Sequence, residues 1–289
     1  MNPHFTFIIL TFNEELHLPR ILQSIAPVQA KTFIIDSGST DHTLEIAAAY
    51  KAEVKYNKFI NHPLQWDFAL QNCPVKTPWI IGLDADQTLS PELLAKLQNF
   101  DPKQYENIDG IYFNRKNIFQ GKWLKYGGYF PFYLLKMFRT SKGYSDLNEN
   151  MDHRFIVEGN TTIWDQAYLI EENLKENDTQ FWIEKHEKYA ERVAHEEFER
   201  LQGLRNQTLQ AIFFGNPDQR TAWLKRMWWK LPLGLRPYLY FSYRMFFKLG
   251  ILDGKTGRKF HYLHALWFRK LIDKKLKELL KEQAQHNMQ

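Results

Sequence analysis

Along the first hundred residues, short apolar runs alternate with stretches in which apolar positions recur every three or four residues. Runs suited to strands cover Phe5 to Leu10, Thr32 to Asp36, Glu53 to Tyr56 and Trp79 to Leu83. Helical spacing fills Glu14 to Ile25, Asp41 to Tyr50 and Leu64 to Asn72 between them. The second helix carries Leu44, Ala47 and Ala48 on one side and follows Ser39-Thr40-Asp41, whose side-chain oxygens suit a helix start. Ser90-Pro91-Glu92 opens a further helix, with serine as cap and proline at the first helical position. Alternation at this spacing predicts an α/β fold: a mainly parallel sheet with helices on both faces. Ligands of such sheets gather at the carboxyl ends of the strands.

Three of those ends carry polar residues. They are Thr11-Phe12-Asn13-Glu14 after the first strand, Asp36-Ser37-Gly38-Ser39-Thr40-Asp41 after the second, and Asp84-Ala85-Asp86 after the fourth. A buried strand ending in two carboxylates one residue apart offers hard oxygen ligands to Mg2+ or Mn2+, which draws its other ligands from phosphates and water. An isolated Asp-x-Asp is more often a turn, Asp41 reads first as a helix cap, and Phe12 is as readily core as surface. Three such accidents on one sheet edge are a poorer account than one nucleotide-diphosphate site. In that site Phe12 stacks on a nucleobase, Asp36 accepts from a base N–H, and Asp84 and Asp86 hold metal and diphosphate. Neither G-x-G-x-x-G after a strand nor G-x-x-x-x-G-K-[ST] occurs, which argues against dinucleotide oxidoreductases and P-loop NTPases.

In order and spacing, the Thr-Phe-Asn-Glu-Glu, Asp-Ser-Gly-Ser-Thr-Asp-His-Thr and Leu-Asp-Ala-Asp motifs resemble the family 2 inverting glycosyltransferases of GT-A fold. The likeness is closest to the bacterial subgroup that includes lipopolysaccharide-core and exopolysaccharide enzymes. It covers roughly residues 5 to 100 and returns at Leu249 to Trp267. The resemblance implies a Rossmann-like GT-A core, a nucleotide-sugar donor, a divalent cation at Asp84-Ala85-Asp86, and inversion at the anomeric carbon. It also implies that Thr11, Asn13 and Glu14 line the nucleotide site beside Phe12, that Asp36 contacts the base, and that Gln65 makes a polar donor contact.

Inverting transfer is a single displacement, so a carboxylate or histidine must take the acceptor hydroxyl proton. The polar segment Asp146 to Arg154 holds three able groups, Glu149, Asp152 and His153. The subgroup's His-Glu element is replaced here by Asp152-His153. Asp152 is therefore the expected base, with Glu149 or His153 orienting it; an ion pair of Asp152 with Arg154 is the structural alternative. Lys136 to Arg139 resembles the family's basic strand before this loop, facing phosphate, acceptor or solvent. In the charged helix from Trp182 to about Leu209, the resemblance suggests that Lys185-His186-x-x-Tyr189 closes over the diphosphate. A surface helix with one packed tyrosine is the other reading.

Composition changes the picture in the last quarter. Between Arg220 and Lys270 twelve basic residues face one acidic residue, Asp253, a local net charge of +11 against +5 for the whole chain. Tryptophans, tyrosines and phenylalanines are interleaved, a pattern suited to an amphipathic segment lying in a membrane interface. Gly250 to Gly257 is read as a turn between two helices of this segment. The expected organisation is a transferase domain over 1–215 and a helical, basic-aromatic, membrane-associating region over 216–289. Two rivals remain for the tail: a nucleic-acid module, without an RNP, zinc-finger or helix-turn-helix signature, and a purely structural helical cap whose aromatics are core. Cys73 is the single cysteine, so no internal disulfide forms, and no Cys/His cluster has zinc-ligand spacing. The first residues lack the pattern of a signal peptide, and no run of about 18 apolar residues occurs. The expectation is a cytoplasmic enzyme, peripheral on the inner face of the cell membrane. It moves a sugar from a nucleotide donor to a lipid-linked or lipopolysaccharide-type acceptor. Its partners are that donor, that acceptor and an anionic membrane surface, not nucleic acid. A non-catalytic nucleotide-sugar or glycan-binding protein of the same fold is the alternative.

Overall fold

The computed structural model describes residues 2–148, 153–204 and 209–286. It divides into two compact units, one of residues 1–118 and 131–174, the other of 119–130 and 175–289.

The first unit begins with β1 (Phe5–Thr11), α1 (Leu18–Ile25), β2 (Lys31–Asp36), α2 (Thr43–Ala49), β3 (Glu53–Tyr56), α3 (His62–Asn72) and β4 (Trp79–Asp84). There follow β5 (Gln87–Leu89), α4 (Pro91–Gln98) and β6 (Gly110–Phe119). The short β7 (Lys122–Trp123) falls in the second unit. The chain then returns to the first unit for β8 (Tyr133–Arg139), β9 (Gly143–Ser145), β10 (Phe155–Val157) and β11 (Thr161–Glu172). The main sheet runs β3-β2-β1-β4-β8-β6-β11-β5. β3, β2, β1 and β4 are mutually parallel, β8 is antiparallel to β4 and β6, and β9 pairs with β10 in a separate antiparallel ribbon. This is the α/β sheet, mostly parallel where the crossover helices lie, that the alternation predicted.

β1 is buried along its whole length, and its period of two splits it between two cores. Phe5, Phe7 and Ile9 pack with α1, α2 and α4 on one side. Ile8 and Leu10 pack on the other with Trp66 and Ala69 of α3 and Phe155 of β10. At Gly82 that second core closes tightly: a Cβ there would stand 2.5 Å from the Phe155 ring. The missing side chain thus lets β10, and the segment leading into it, approach the end of β4.

The expected strands and the α2 to α4 helices are present. α1 differs, starting at Leu18 and not Glu14. The cause is local: Asn13 adopts φ +54°, and the Glu14 and Glu15 amides donate to Thr43 Oγ1 and Asp41 Oδ2 at 2.8 and 3.1 Å. Those N–H groups serve the neighbouring loop before the helix begins.

The second unit is helical. It contains α5 (Thr179–Leu201), α6 (Pro217–Trp229), α7 (Arg236–Ser242), α8 (Gly254–His261) and α9 (Phe268–His286), with wider helical turns over Tyr243–Phe247 and Tyr262–Trp267. Its core joins Phe119, Leu124 and Tyr129 to Trp182, Ala190 and Ala194 of α5, to Phe260 of α8, and to Ile272 and Leu276 of α9. α5 packs along α9, so this unit takes in the charged helix that composition alone grouped with the transferase domain. The glycine turn is shorter than expected, since α8 starts at Gly254. No helix of the described residues is long and apolar enough to cross a membrane.

Candidate functional site

Register brings the three motifs together. Parallel pairing sets Thr11 opposite Asp36 and Leu10 opposite Asp84, so the loops after β1, β2 and β4 leave the same edge side by side. Ligand-binding groups of parallel sheets collect at this edge.

Asp36 organises its own loop. It is 2% exposed. Its Oδ1 accepts from the Thr11 hydroxyl at 3.0 Å and from Ser39 Oγ at 2.5 Å, and its Oδ2 accepts from the Gly38 and Ser39 amides at 2.8 Å each. Asn13 ties the first loop to the second: its amide donates to Ser39 Oγ, and its Oδ1 accepts from Thr40 N, both at 2.8 Å. Gln65 is also occupied. Its Nε2 donates to Ser37 Oγ and the Asn57 carbonyl, while its Oε1 accepts from Asn57. Thr11, Asp36 and Gln65 are thus buried and hydrogen-bonded at this strand edge, whereas Phe12 is 56% exposed. Glu14 accepts from His17 at 2.5 Å. His17 Nε2 itself accepts from the Leu174 amide at 2.8 Å, which fixes the imidazole proton on Nδ1.

Asp84 and Asp86 have different surroundings. Asp84 Oδ2 accepts from Lys136 Nζ at 2.9 Å. Burial works against ionisation of Asp84, but the Lys136 ammonium outweighs it and holds the carboxyl below its ordinary value. The Asp84 amide donates to Gln87, which donates to Glu171, which in turn accepts from Arg115. Asp86 accepts from Asn173 Nδ2 at 3.4 Å, and its carbonyl accepts from the Glu172 amide. Ala85 between them is buried. Among the described residues no group of three His, Cys, Asp or Glu side chains is placed to hold a metal ion. Two carboxylates at a strand end still match the donor set of a hard cation that completes its shell with substrate phosphates.

Glu149 and Asp152 lie outside the described residues. His153 stacks on Trp66 at 5.3 Å between ring centroids and meets Phe155 edge-on at 4.4 Å. Burial, followed by the Lys136 charge, keeps this imidazole well below its ordinary pKa and so neutral. Among the described residues its Nε2 has no hydrogen-bond partner.

His186 belongs to the second unit, where the structure gives it a packing role. The ring stacks on Trp182 at 3.5 Å, meets Phe268 edge-on and donates from Nδ1 to the Trp182 carbonyl at 2.8 Å. Burial pushes it down to about 4.

The sequence leaves Lys136 facing phosphate, acceptor or solvent, and does not show it as the partner of Asp84. The signal was present: a lysine inside Leu134-Leu135-Lys136-Met137-Phe138 has to meet a carboxylate if the strand is buried. His17 and Gln87 were not singled out, because their partners lie far along the chain.

Among curated relatives, the "Lipopolysaccharide core biosynthesis glycosyltransferase LpsC" of Rhizobium meliloti (strain 1021) is 28% identical over 167 residues, covering 53% of this chain and 57% of that one. An "Uncharacterized glycosyltransferase" of Rickettsia bellii (strain RML369-C) is 33% identical over 90 residues, 31% of this chain and 30% of the relative. The chain thus spans between about a third and rather more than half the length of these relatives. Among solved structures, S. aureus TarS 1-349 aligns over 96% of this chain and 91% of its own, with a TM-score of 0.45 and 15% identity. The model of "Glycosyl transferase family 2" matches residues 6–158, more than half of the chain and all three strand-end motifs. The chain belongs to glycosyl transferase family 2.

Proposed function

We propose that this glycosyltransferase moves one sugar, with inversion, from a nucleotide-diphosphate donor to a lipid-linked or lipopolysaccharide-type acceptor. The observation that carries the reading is the Asp84/Asp86 pair at the edge where β1, β2 and β4 end, next to the loop pinned by Asp36. Phe12 offers an exposed face for the nucleobase beside that loop. The lipopolysaccharide-core enzyme among the relatives supports the acceptor class.

Asp86 and Asp84 are the groups that would hold Mg2+ or Mn2+, which supplies charge stabilisation to the departing diphosphate. Lys136 donates to one oxygen of Asp84 and Asn173 to one oxygen of Asp86, and the two carboxylates together would supply the hard oxygen donors. Lys136 also keeps Asp84 ionised and fixed in direction, so the strand end does not reorganise as negative charge develops nearby. Asp152 is assigned as the base. His153, a neutral ring held well below its ordinary pKa, is a weak proton acceptor and suits orientation of that loop better.

The test is a panel of nucleotide sugars, each read by thermal stabilisation with and without manganese and by donor hydrolysis. One donor should raise the melting temperature in a manganese-dependent way, as a ligand of the folded state must. Asp86→Asn should lose both the shift and turnover, whereas Asp152→Asn should keep the shift and lose turnover. Full turnover by Asp86→Asn, or a panel without any shift, overturns the site.

A further inference from the structure

The helical unit carries a feature that sugar transfer does not use. From Phe246 to Leu252 six of seven residues are exposed, and five are large and apolar: Phe246 61%, Phe247 79%, Leu249 48%, Ile251 42% and Leu252 58%. Together they show the surface of about three whole side chains, within the range where an exposed apolar patch is usually functional. The turn that bears them is firmly built. Arg244 beneath it is buried, lies 3.9 Å over the Tyr129 ring and donates to the Gly127 carbonyl and the Tyr240 hydroxyl. Asp253 is buried as well, accepting from the Lys125 and Tyr126 amides and from His261. Leu249 takes φ +58°, a left-handed conformation uncommon for such a side chain. A rigid base thus holds five apolar groups outward in water.

Charge identifies the occupant. Two of the twelve cations of this region, Arg236 and Arg244, are buried. Between Arg244 and Arg258 the exposed charged residues, Lys248, Lys255 and Arg258, are all positive, and the one carboxylate of that stretch, Asp253, is buried. A broad anionic surface matches this arrangement. Tyr243 and Tyr262, also half exposed, suit the headgroup level of a bilayer.

We infer that Phe246 to Leu252 is a membrane-anchoring tip: its apolar side chains enter an anionic leaflet while Lys248, Lys255 and Arg258 meet the headgroups. This goes beyond the transfer reaction and does not depend on which donor is used.

The experiment is flotation of the full chain with vesicles of phosphatidylcholine alone or with added phosphatidylglycerol. The protein should float with the anionic vesicles, more weakly as salt rises. Phe246→Ser/Phe247→Ser and, separately, Lys255→Glu/Arg258→Glu should each lower binding on the order of tenfold or more. Circular dichroism and hydrolysis of a soluble donor should match the parent for both variants, which separates loss of anchoring from loss of fold or of the transferase reading. Undiminished binding by the phenylalanine variant overturns insertion, as does a parent that floats with neither vesicle. A parent that is oligomeric in lipid-free chromatography, and monomeric once both phenylalanines are replaced, assigns the tip to a second copy and overturns the membrane.

Discussion

Replacing Lys136 by methionine removes the ammonium beside Asp84 while keeping most of the apolar stem. The Nζ–Oδ2 distance is 2.9 Å, with the lysine side chain 8% exposed and the aspartate 39%. An exposed pair contributes at most about 1 kcal/mol, whereas breaking a buried pair from one side costs about 3–5 kcal/mol. Here the charge left behind is reached by water, which offsets part of its loss, so about 2 kcal/mol is expected at neutral pH. The pH dependence supplies a second check. Burial opposes ionisation of Asp84, but Lys136 brings the folded carboxyl below its ordinary 3.8. As pH falls through this range the unfolded chain takes up the proton first, so the pair's contribution is present above about pH 4 and lost below it. In Lys136→Met the main charge opposing burial is gone, Asp84 titrates higher, and protonation relieves the variant. The stability difference should therefore be full at neutral pH and shrink from about pH 5 downward. Urea unfolding of both proteins at several pH values measures it directly. Equal midpoints at neutral pH, or a difference that persists undiminished in acid, would refute the assignment of Lys136 as the counterion of Asp84.

Asp36→Asn should destabilise by about 1–2 kcal/mol and Asp36→Ala by about 3 kcal/mol, since the amide can keep some of the four hydrogen bonds and alanine none; equal melting temperatures for the two would contradict the loop-pinning role. Gly82→Ala would set a Cβ 2.5 Å from Phe155 and should cost about 1–3 kcal/mol. Adding Phe155→Leu should recover part of that in a double-mutant cycle, and strict additivity counts against the close approach. His186 titrates at about 4 in the folded state against 6.5 unfolded, so the unfolded chain binds the extra proton between those values and stability falls as pH drops through them. His186→Leu should remove about 3 kcal/mol of this acid loss between pH 6.5 and 4. Unchanged acid sensitivity in calorimetry would show that the ring is not buried as described.

The strand-end motifs were legible because parallel pairing turns position after a strand into position along one edge. Thr11, Asp36 and Asp84 are separated by 25 and 48 residues in sequence, yet the registers Thr11–Asp36 and Leu10–Asp84 set them side by side. Periodicity alone supplies that step. It cannot show how a loop uses its own groups. The buried Asp36 carboxylate also accepts from the amides of Gly38 and Ser39, partners that periodicity does not reveal. The start of α1 was misplaced for the same reason, since Glu14 and Glu15 donate across to the second loop.

Partners distant in sequence were the other blind spot, and they share a signature. Lys136 in an apolar strand and Arg236 at the head of α7 are each a lone polar residue among hydrophobic neighbours, and Asn114 follows the apolar run Ile111-Tyr112-Phe113 of β6. Each is buried, and each has found what burial demands: Asp84 for Lys136, the Asp165 carbonyl and the Phe132 amide for Asn114, Glu197 and Asp273 for Arg236. Counting Arg236 and Arg244 as surface charge overstated the basic face, because composition does not separate a cation offered to a partner from one consumed within the core. The exposed Phe246–Leu252 segment is the converse case. Hydrophobic residues in a turn read as core until the structure shows Arg244 and Asp253 filling the space beneath them. Polar residues taken inside and apolar residues left outside are two parts of one exchange in this unit, and the apolar half has gained no compensation from folding. Its stabilisation has to come from whatever the protein binds there.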